Sequence, residues 1–100
     1  MSKYTAQEVF DEANDAISRC PQGEPYDRDQ HIIGCATFDD IIADGDVTTM
    51  LEIFGSHRTL FHSGYWECLP KELCRDMRIA KGQRDIRIAL ADYEFAEQST

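Results

Sequence analysis

Apolar residues recur at helical spacing close to the start of the chain. Val9, Phe10, Ala13, Ala16 and Ile17 form one stripe, which is the pattern of an amphipathic helix. Thr5 and Glu8 have the spacing of a capping box, in which each side chain reaches the backbone amide of the other. Tyr4 stands where a hydrophobic staple would pack on Val9. The pattern predicts a first helix from Thr5 to about Arg19.

Two short helices are predicted in the middle of the chain, separated by Gly45. Thr37 and Asp40 repeat the capping-box spacing, and the helix that they open is expected to stop at Asp44-Gly45. Asp46 then caps a third helix that ends at Gly55. The apolar face of this helix consists of Val47, Met50, Leu51 and Phe54.

The last third of the chain predicts two further helices. Pro70 suits the first position of a fourth helix, with Leu73, Cys74, Met77 and Ala80 as its apolar set and Gly82 as its end. A fifth helix is expected from residue 83 or 84 to Gln98, with Ile86, Ala89, Leu90 and Tyr93 as its main stripe. The alternation over residues 86–90 also fits a strand, but the alanine-rich continuation favours helix.

Ile88 and Phe95 lie seven residues apart on a second stripe of the fifth helix. This spacing predicts that they either pack in the core under the first helix or form a contact between two copies of the chain, as in a homodimer.

The remaining segments carry weaker signals. Residues 20–30 hold two prolines, a glycine and four charges and predict a loop. Residues 31–36 could form a strand, but no partner strand is evident, so a buried extended segment or a helical turn is expected. A helical turn is expected at 59–62 and a tight turn at 63–64. The predicted fold is all-α, a bundle of four to five helices that forms one domain over residues 1–100.

Charge is distributed unevenly along the chain. The chain has 19 acidic and 10 basic residues, a net charge of −9. The first 55 residues hold twelve acids and three bases, whereas the last 45 hold seven of each. This excess of acid excludes a general electrostatic grip on nucleic acid. No stretch is apolar for the length that a membrane span needs.

Like charges stand four residues apart on the predicted first helix. Glu8 and Glu12 have this spacing, and so do Asp11 and Asp15. Such pairs destabilise a helix by about 0.2–0.5 kcal/mol each, and the helix dipole favours an acid only in the first turn. No base stands between these acids in the sequence, which favours a role in binding.

Asp39, Asp40 and Asp44 form a second acidic patch. We predict that both patches face a partner protein whose site is rich in Lys and Arg. The competing interpretation is an acidic surface that only keeps the chain soluble.

No catalytic or metal-binding motif stands out. A calcium loop centred on Gly45 fails because Ile42 and Leu51 stand where ligands are required. The spacings of His57 with His62 and of Cys68 with Cys74 lie outside those of zinc sites. We therefore expect no enzyme, no metal and no cofactor, with a small metal-binding protein or enzyme as an alternative.

The start of the sequence lacks a secretory signal and a lipidation motif. We expect a cytoplasmic protein whose cysteines are reduced; two disulfides in an exported domain are the alternative. Lys71, Arg75 and Arg78 line up on the predicted fourth helix, but neighbouring acids dilute them, so no direct contact with nucleic acid is expected.

In size, acidity and lack of a catalytic motif the whole chain resembles phage-encoded anti-CRISPR proteins. The resemblance implies a stoichiometric inhibitor in the host cytoplasm that covers a basic surface of a CRISPR effector subunit and mimics DNA. The chain is also similar in these respects to colicin-type immunity proteins. An acidic adaptor or immunity-type subunit of another assembly, with Ile88 and Phe95 as its contact, is the alternative.

Overall fold

The computed structural model describes residues 3–21, 23–58, 60 and 65–98. This part of the chain is mostly helical, with four α-helices and a small two-stranded sheet. The helices are α1 (Ala6–Ser18), α2 (Phe38–Asp44), α3 (Val47–Gly55) and α4 (Lys71–Gln98). A 3₁₀ helix spans Tyr65–Cys68, and the strands are β1 (His31–Ile33) and β2 (Ala36–Thr37). Apart from Leu60, which is helical and buried, the predicted turns at 59–62 and 63–64 fall outside the described residues.

The first three helices begin at the capping residues that the sequence predicts. The Thr5 hydroxyl accepts a hydrogen bond from the Glu8 amide at 3.1 Å. The Glu8 carboxylate accepts one from the Thr5 hydroxyl, not from its amide. The capping box of α2 is complete, since Thr37 and Asp40 each accept from the backbone amide of the other. Asp46 caps α3 by accepting from the Thr49 amide at 3.0 Å.

The core is built from the apolar stripes of the four helices. Phe10 of α1, Phe38 of α2 and Phe54 of α3 are buried together, with ring centroids 5.0–6.0 Å apart. The stripe predicted for the fifth helix is exposed instead, at Ile86, Ala89, Leu90 and Tyr93. The predicted stripes of α1, α3 and the first half of α4 are confirmed. Their buried members are Val9, Ala13, Ala16, Ile17, Met50, Leu51, Leu73, Cys74, Met77 and Ala80.

The prediction that Gly82 separates two helices is wrong. A single helix, α4, runs from Lys71 to Gln98. Gly82 does not adopt the left-handed conformation of a helix-ending glycine; among the described glycines Gly34 and Gly45 do. One glycine costs a helix only about 1 kcal/mol, and the Ala, Lys, Gln and Arg around it are strong helix formers. The helix therefore continues through it.

The prediction that residues 31–36 lack a partner strand is also wrong. Strands β1 and β2 pair in an antiparallel hairpin, with His31 opposite Thr37 and Ile33 opposite Ala36. The turn between them is Gly34-Cys35, and Gly34 has a φ of 59°, a value that glycine adopts at little cost. The partner strand was missed because only two residues separate it from β1 and because it is itself only two residues long.

The C-terminal half of α4 stands clear of the core. Every residue from Asp85 to Gln98 is exposed, a length of about 21 Å at the rise of an α-helix. Of the two alternatives predicted for Ile88 and Phe95, a place in the core is therefore wrong, and a contact between copies stays a prediction. Because α4 does not stop at Gly82, it carries both residues beyond the helices on which its first half packs. None of the described helices is both long and apolar enough to cross a membrane.

Candidate protein-binding surfaces

The four acids of α1 all lie on its exposed side. Glu8, Asp11, Glu12 and Asp15 are exposed, because the buried stripe of the helix occupies the opposite side. The predicted grouping of these carboxylates on one solvent-facing surface is therefore present in the structure.

The acids of α2 are exposed too. Asp39, Asp40 and Asp44 face solvent, while Phe38 and Ile41 point into the core. Hydrogen bonds from the backbone amide and the hydroxyl of Thr37 hold the pKa of the Asp40 carboxyl below its usual value. The Asp40 carboxyl therefore stays ionised, and its first role is in the capping box of α2.

Arg28 joins the two acidic patches. Its guanidinium lies 3.6 Å from a carboxylate oxygen of Asp11 and 3.8 Å from one of Asp39. It also sits over the Phe10 ring, 5.5 Å from the ring centroid, at a distance where a cation is attracted to an aromatic face. Asp11 of α1 and Asp39 of α2 thus lie close to each other. The seven exposed acids of α1 and α2 are here called the acidic face, which consists of Glu8, Asp11, Glu12, Asp15, Asp39, Asp40 and Asp44.

The acidic face is partly neutralised by bases that the sequence analysis did not place beside it. Arg19 forms an ion pair with Asp15 one turn along α1, and Arg28 pairs with two other members. The expectation that the acids of the first helix are uncompensated is thus wrong for Asp11 and Asp15. Among the described residues no ion pair forms at Glu8, Glu12, Asp40 or Asp44. Glu8 and Asp40 accept hydrogen bonds from Thr5 and Thr37, so Glu12 and Asp44 carry the least compensated charge.

A groove lies beside the first half of α4. Its volume is about 430 Å³. Leu69, Cys74 and Ile79 give it an apolar lining, and Arg75 and Arg78 line it as well. Burial raises the pKa of the Cys74 thiol, so the thiol is protonated. Glu67 and Lys71 complete the lining.

Large apolar side chains are exposed along α4. The exposed fractions are 52% for Ile79, 61% for Ile86, 49% for Ile88, 57% for Leu90, 63% for Tyr93 and 73% for Phe95. Exposed apolar side chains of this size are candidates for contacts with another protein. A contact role for Ile88 and Phe95 was predicted from their spacing. The continuity of Ile79 with the stripe after Gly82 was missed, because a break in the helix was expected at Gly82.

The histidines and cysteines are dispersed. No three His, Cys, Asp or Glu side chains of the described residues are grouped so that they could hold a metal ion. Cys20 and Cys74 are buried, Cys35 and Cys68 are exposed, and all four are free thiols. His57 packs edge-on against Tyr26 at 5.2 Å, and burial lowers its pKa. His57 therefore belongs to the packing of the domain.

Comparison with protein-family models, with curated proteins and with solved structures finds no match to the chain.

Proposed function

We propose that the chain is a stoichiometric inhibitor that binds a basic, nucleic-acid-binding surface of another protein with its acidic face. The observation that carries the proposal is the union of two acidic segments, distant in sequence, around Arg28. Folding brings Asp11 of α1 and Asp39 of α2 to the same guanidinium, so that a basic partner can meet exposed carboxylates of both helices together.

The binding is electrostatic in this proposal. Carboxylates of the acidic face take the place of phosphates on Lys and Arg side chains of the target. Successive turns of a helix are about 5.4 Å apart, against about 3.4 Å for phosphates along one strand of DNA. The acids of α1 thus stand in for alternating phosphates of one strand without copying their spacing. Glu12 and Asp44, whose carboxylates form neither a described ion pair nor a described hydrogen bond, contribute most to the electrostatic attraction of the partner.

The target that we propose is a CRISPR effector subunit in the cytoplasm of the host cell. The resemblance to anti-CRISPR proteins in size, acidity and absence of a catalytic motif supports this choice. The inhibition needs no catalysis, because occupation of the surface is enough to exclude DNA.

Capture on the immobilised chain tests the proposal. Wild-type chain is expected to retain an effector subunit from a lysate that contains it, and duplex DNA is expected to displace that subunit. The Glu12→Lys/Asp44→Lys variant should retain much less of it. Asp92→Lys/Glu94→Lys is the matched control, because it changes the net charge equally at exposed positions of α4. Equal capture by both variants would contradict the proposal.

A second candidate function is that of an adaptor in a larger assembly. The exposure of Ile88 and Phe95 on α4 favours it, because an exposed apolar pair is a suitable contact for another protein. In that case Phe95→Ser abolishes capture of the partner, whereas Glu12→Lys/Asp44→Lys leaves it unchanged.

A further inference from the structure

A second apolar stripe runs along α4, apart from Ile88 and Phe95. Ile79, Ile86, Leu90 and Tyr93 follow one another at intervals of seven, four and three residues, which places them on one face of the helix. Leu73, Met77 and Ala80 turn a different face of α4 to the core. This spacing is typical of a helix that pairs lengthwise with another helix.

The charges along α4 specify the direction of such a pair. Residues 71–87 contain six bases and three acids, a net charge of +3, whereas residues 88–98 contain three acids and no base, a net charge of −3. In a parallel pair of α4 helices, each end would lie beside the end of the other helix that carries the same charge. An antiparallel pair places the acidic end of one helix beside the basic part of the other.

We infer that two copies of the chain pair antiparallel along α4, with the two-fold axis at Ile86. Ile86 then meets Ile86 of the second copy, and residues equally far from it on opposite sides lie level with one another. Seven residues away on either side, Ile79 lies level with Tyr93 of the second copy. Eleven residues away, Arg75 lies level with Glu97 of the second copy.

The groove beside the first half of α4 fits this register. Ile79 and Arg75 both line it, so Tyr93 of the second copy arrives at its apolar wall and Glu97 of the second copy at its basic rim. A volume of about 430 Å³ accommodates an aromatic side chain. Each copy has one groove and one Tyr93, so the pairing is self-complementary.

The mass of the chain in solution tests the inference. Wild-type chain is expected to have twice the mass of one 11.4 kDa chain. Ile86→Glu should have the mass of one chain, because it places two carboxylates together at the axis. Ile88→Glu is the matched control on the other stripe and should keep the double mass. A single-chain mass for wild type up to on the order of 0.1 mM would overturn the inference.

Charge reversal tests the direction and register. Arg75→Glu and Glu97→Arg should each raise the dissociation constant of the pair about tenfold, because a symmetric pair contains the contact twice. The combined variant should restore it to within about threefold of wild type. Single variants without effect, or a combined variant weaker than either, would overturn the register.

Cross-linking locates the axis independently of charge. In a chain with Cys35→Ser and Cys68→Ser, which removes the exposed thiols, Ile86→Cys should form a disulfide between copies under mild oxidation, and Ile88→Cys should not. Equal cross-linking at both positions, or none at residue 86, would overturn it. Equal circular dichroism spectra of all variants exclude misfolding. None of these changes touches the acidic face, so their outcome is separate from that of the proposed function.

Discussion

Arg87 of α4 donates a hydrogen bond to the carboxylate of Glu52 on α3. The two side chains differ in burial, since that of Glu52 is 9% exposed and that of Arg87 is 59% exposed. The contact lies where α4 leaves the core, because the residues beyond Arg87 are all exposed. Together with the hydrogen bond from Arg84 to Ser56, it fixes the angle at which the free half of α4 projects.

The unequal burial of this pair predicts unequal effects of removing either partner. Arg87→Met keeps the apolar stem over Glu52 but leaves its carboxylate without a donor, which should lower the free energy of unfolding by about 1–3 kcal/mol. Glu52→Gln leaves Arg87 in water and should cost less than about 1 kcal/mol. Urea denaturation of the two variants measures both values. A larger loss for Glu52→Gln would contradict the assignment.

Two helical glycines, Gly55 in the core and Gly82 at the surface, give a matched pair of substitutions. A Cβ atom on Gly55 would lie 2.3 Å from the backbone oxygen of Met77, whereas one on Gly82 would meet nothing within 4 Å. Gly55→Ala should push α3 and α4 apart and destabilise the fold by about 1–3 kcal/mol. Gly82→Ala should stabilise it by about 0.5–1 kcal/mol, because alanine loses less backbone entropy in a helix.

Thermal denaturation of the two alanine variants distinguishes these effects by sign. A lower melting temperature for Gly82→Ala would show that this part of α4 is not an unbroken helix. A melting temperature for Gly55→Ala equal to that of wild type would show that the close approach of α3 to α4 is relieved without cost.

The pH dependence of stability should depend on His57. Burial lowers the pKa of His57 in the folded chain, so the unfolded chain takes up a proton first as the pH falls through about 6.5. Stability that is present above this pH is therefore lost as the pH falls toward the folded-state pKa. Urea denaturation at about pH 8 and about pH 5.5 should show a smaller difference for His57→Gln than for wild type. His31→Gln, at an exposed position, is the control and should behave as wild type does.

Features that depend on neighbouring residues were predicted well from the sequence. The capping residues Thr5, Thr37 and Asp46 start helices because their partners are three residues away. The buried stripes follow from helical periodicity in the same way. The end of a helix at a glycine is a weaker signal, since it needs a left-handed conformation that the sequence at Gly82 permits but does not require.

The relationships that define the candidate surfaces depend on tertiary structure. Arg28 belongs to an irregular segment, and nothing in its local sequence indicates that it reaches both Asp11 and Asp39. The groove at Ile79 forms only when the 3₁₀ region packs beside α4. The sequence therefore predicted which acids are exposed but not how far other residues neutralise them.

The rate of association with the captured partner, measured at two salt concentrations, tests most directly whether the acidic face binds it. Glu12→Lys/Asp44→Lys should slow association about tenfold at low salt, and the difference should shrink to about twofold at high salt, because salt screens long-range attraction. Asp92→Lys/Glu94→Lys, with the same net charge, should associate as wild type does at both. Equal association rates for wild type and Glu12→Lys/Asp44→Lys at both salt concentrations would contradict the proposal and leave the acidic face as a solubilising surface.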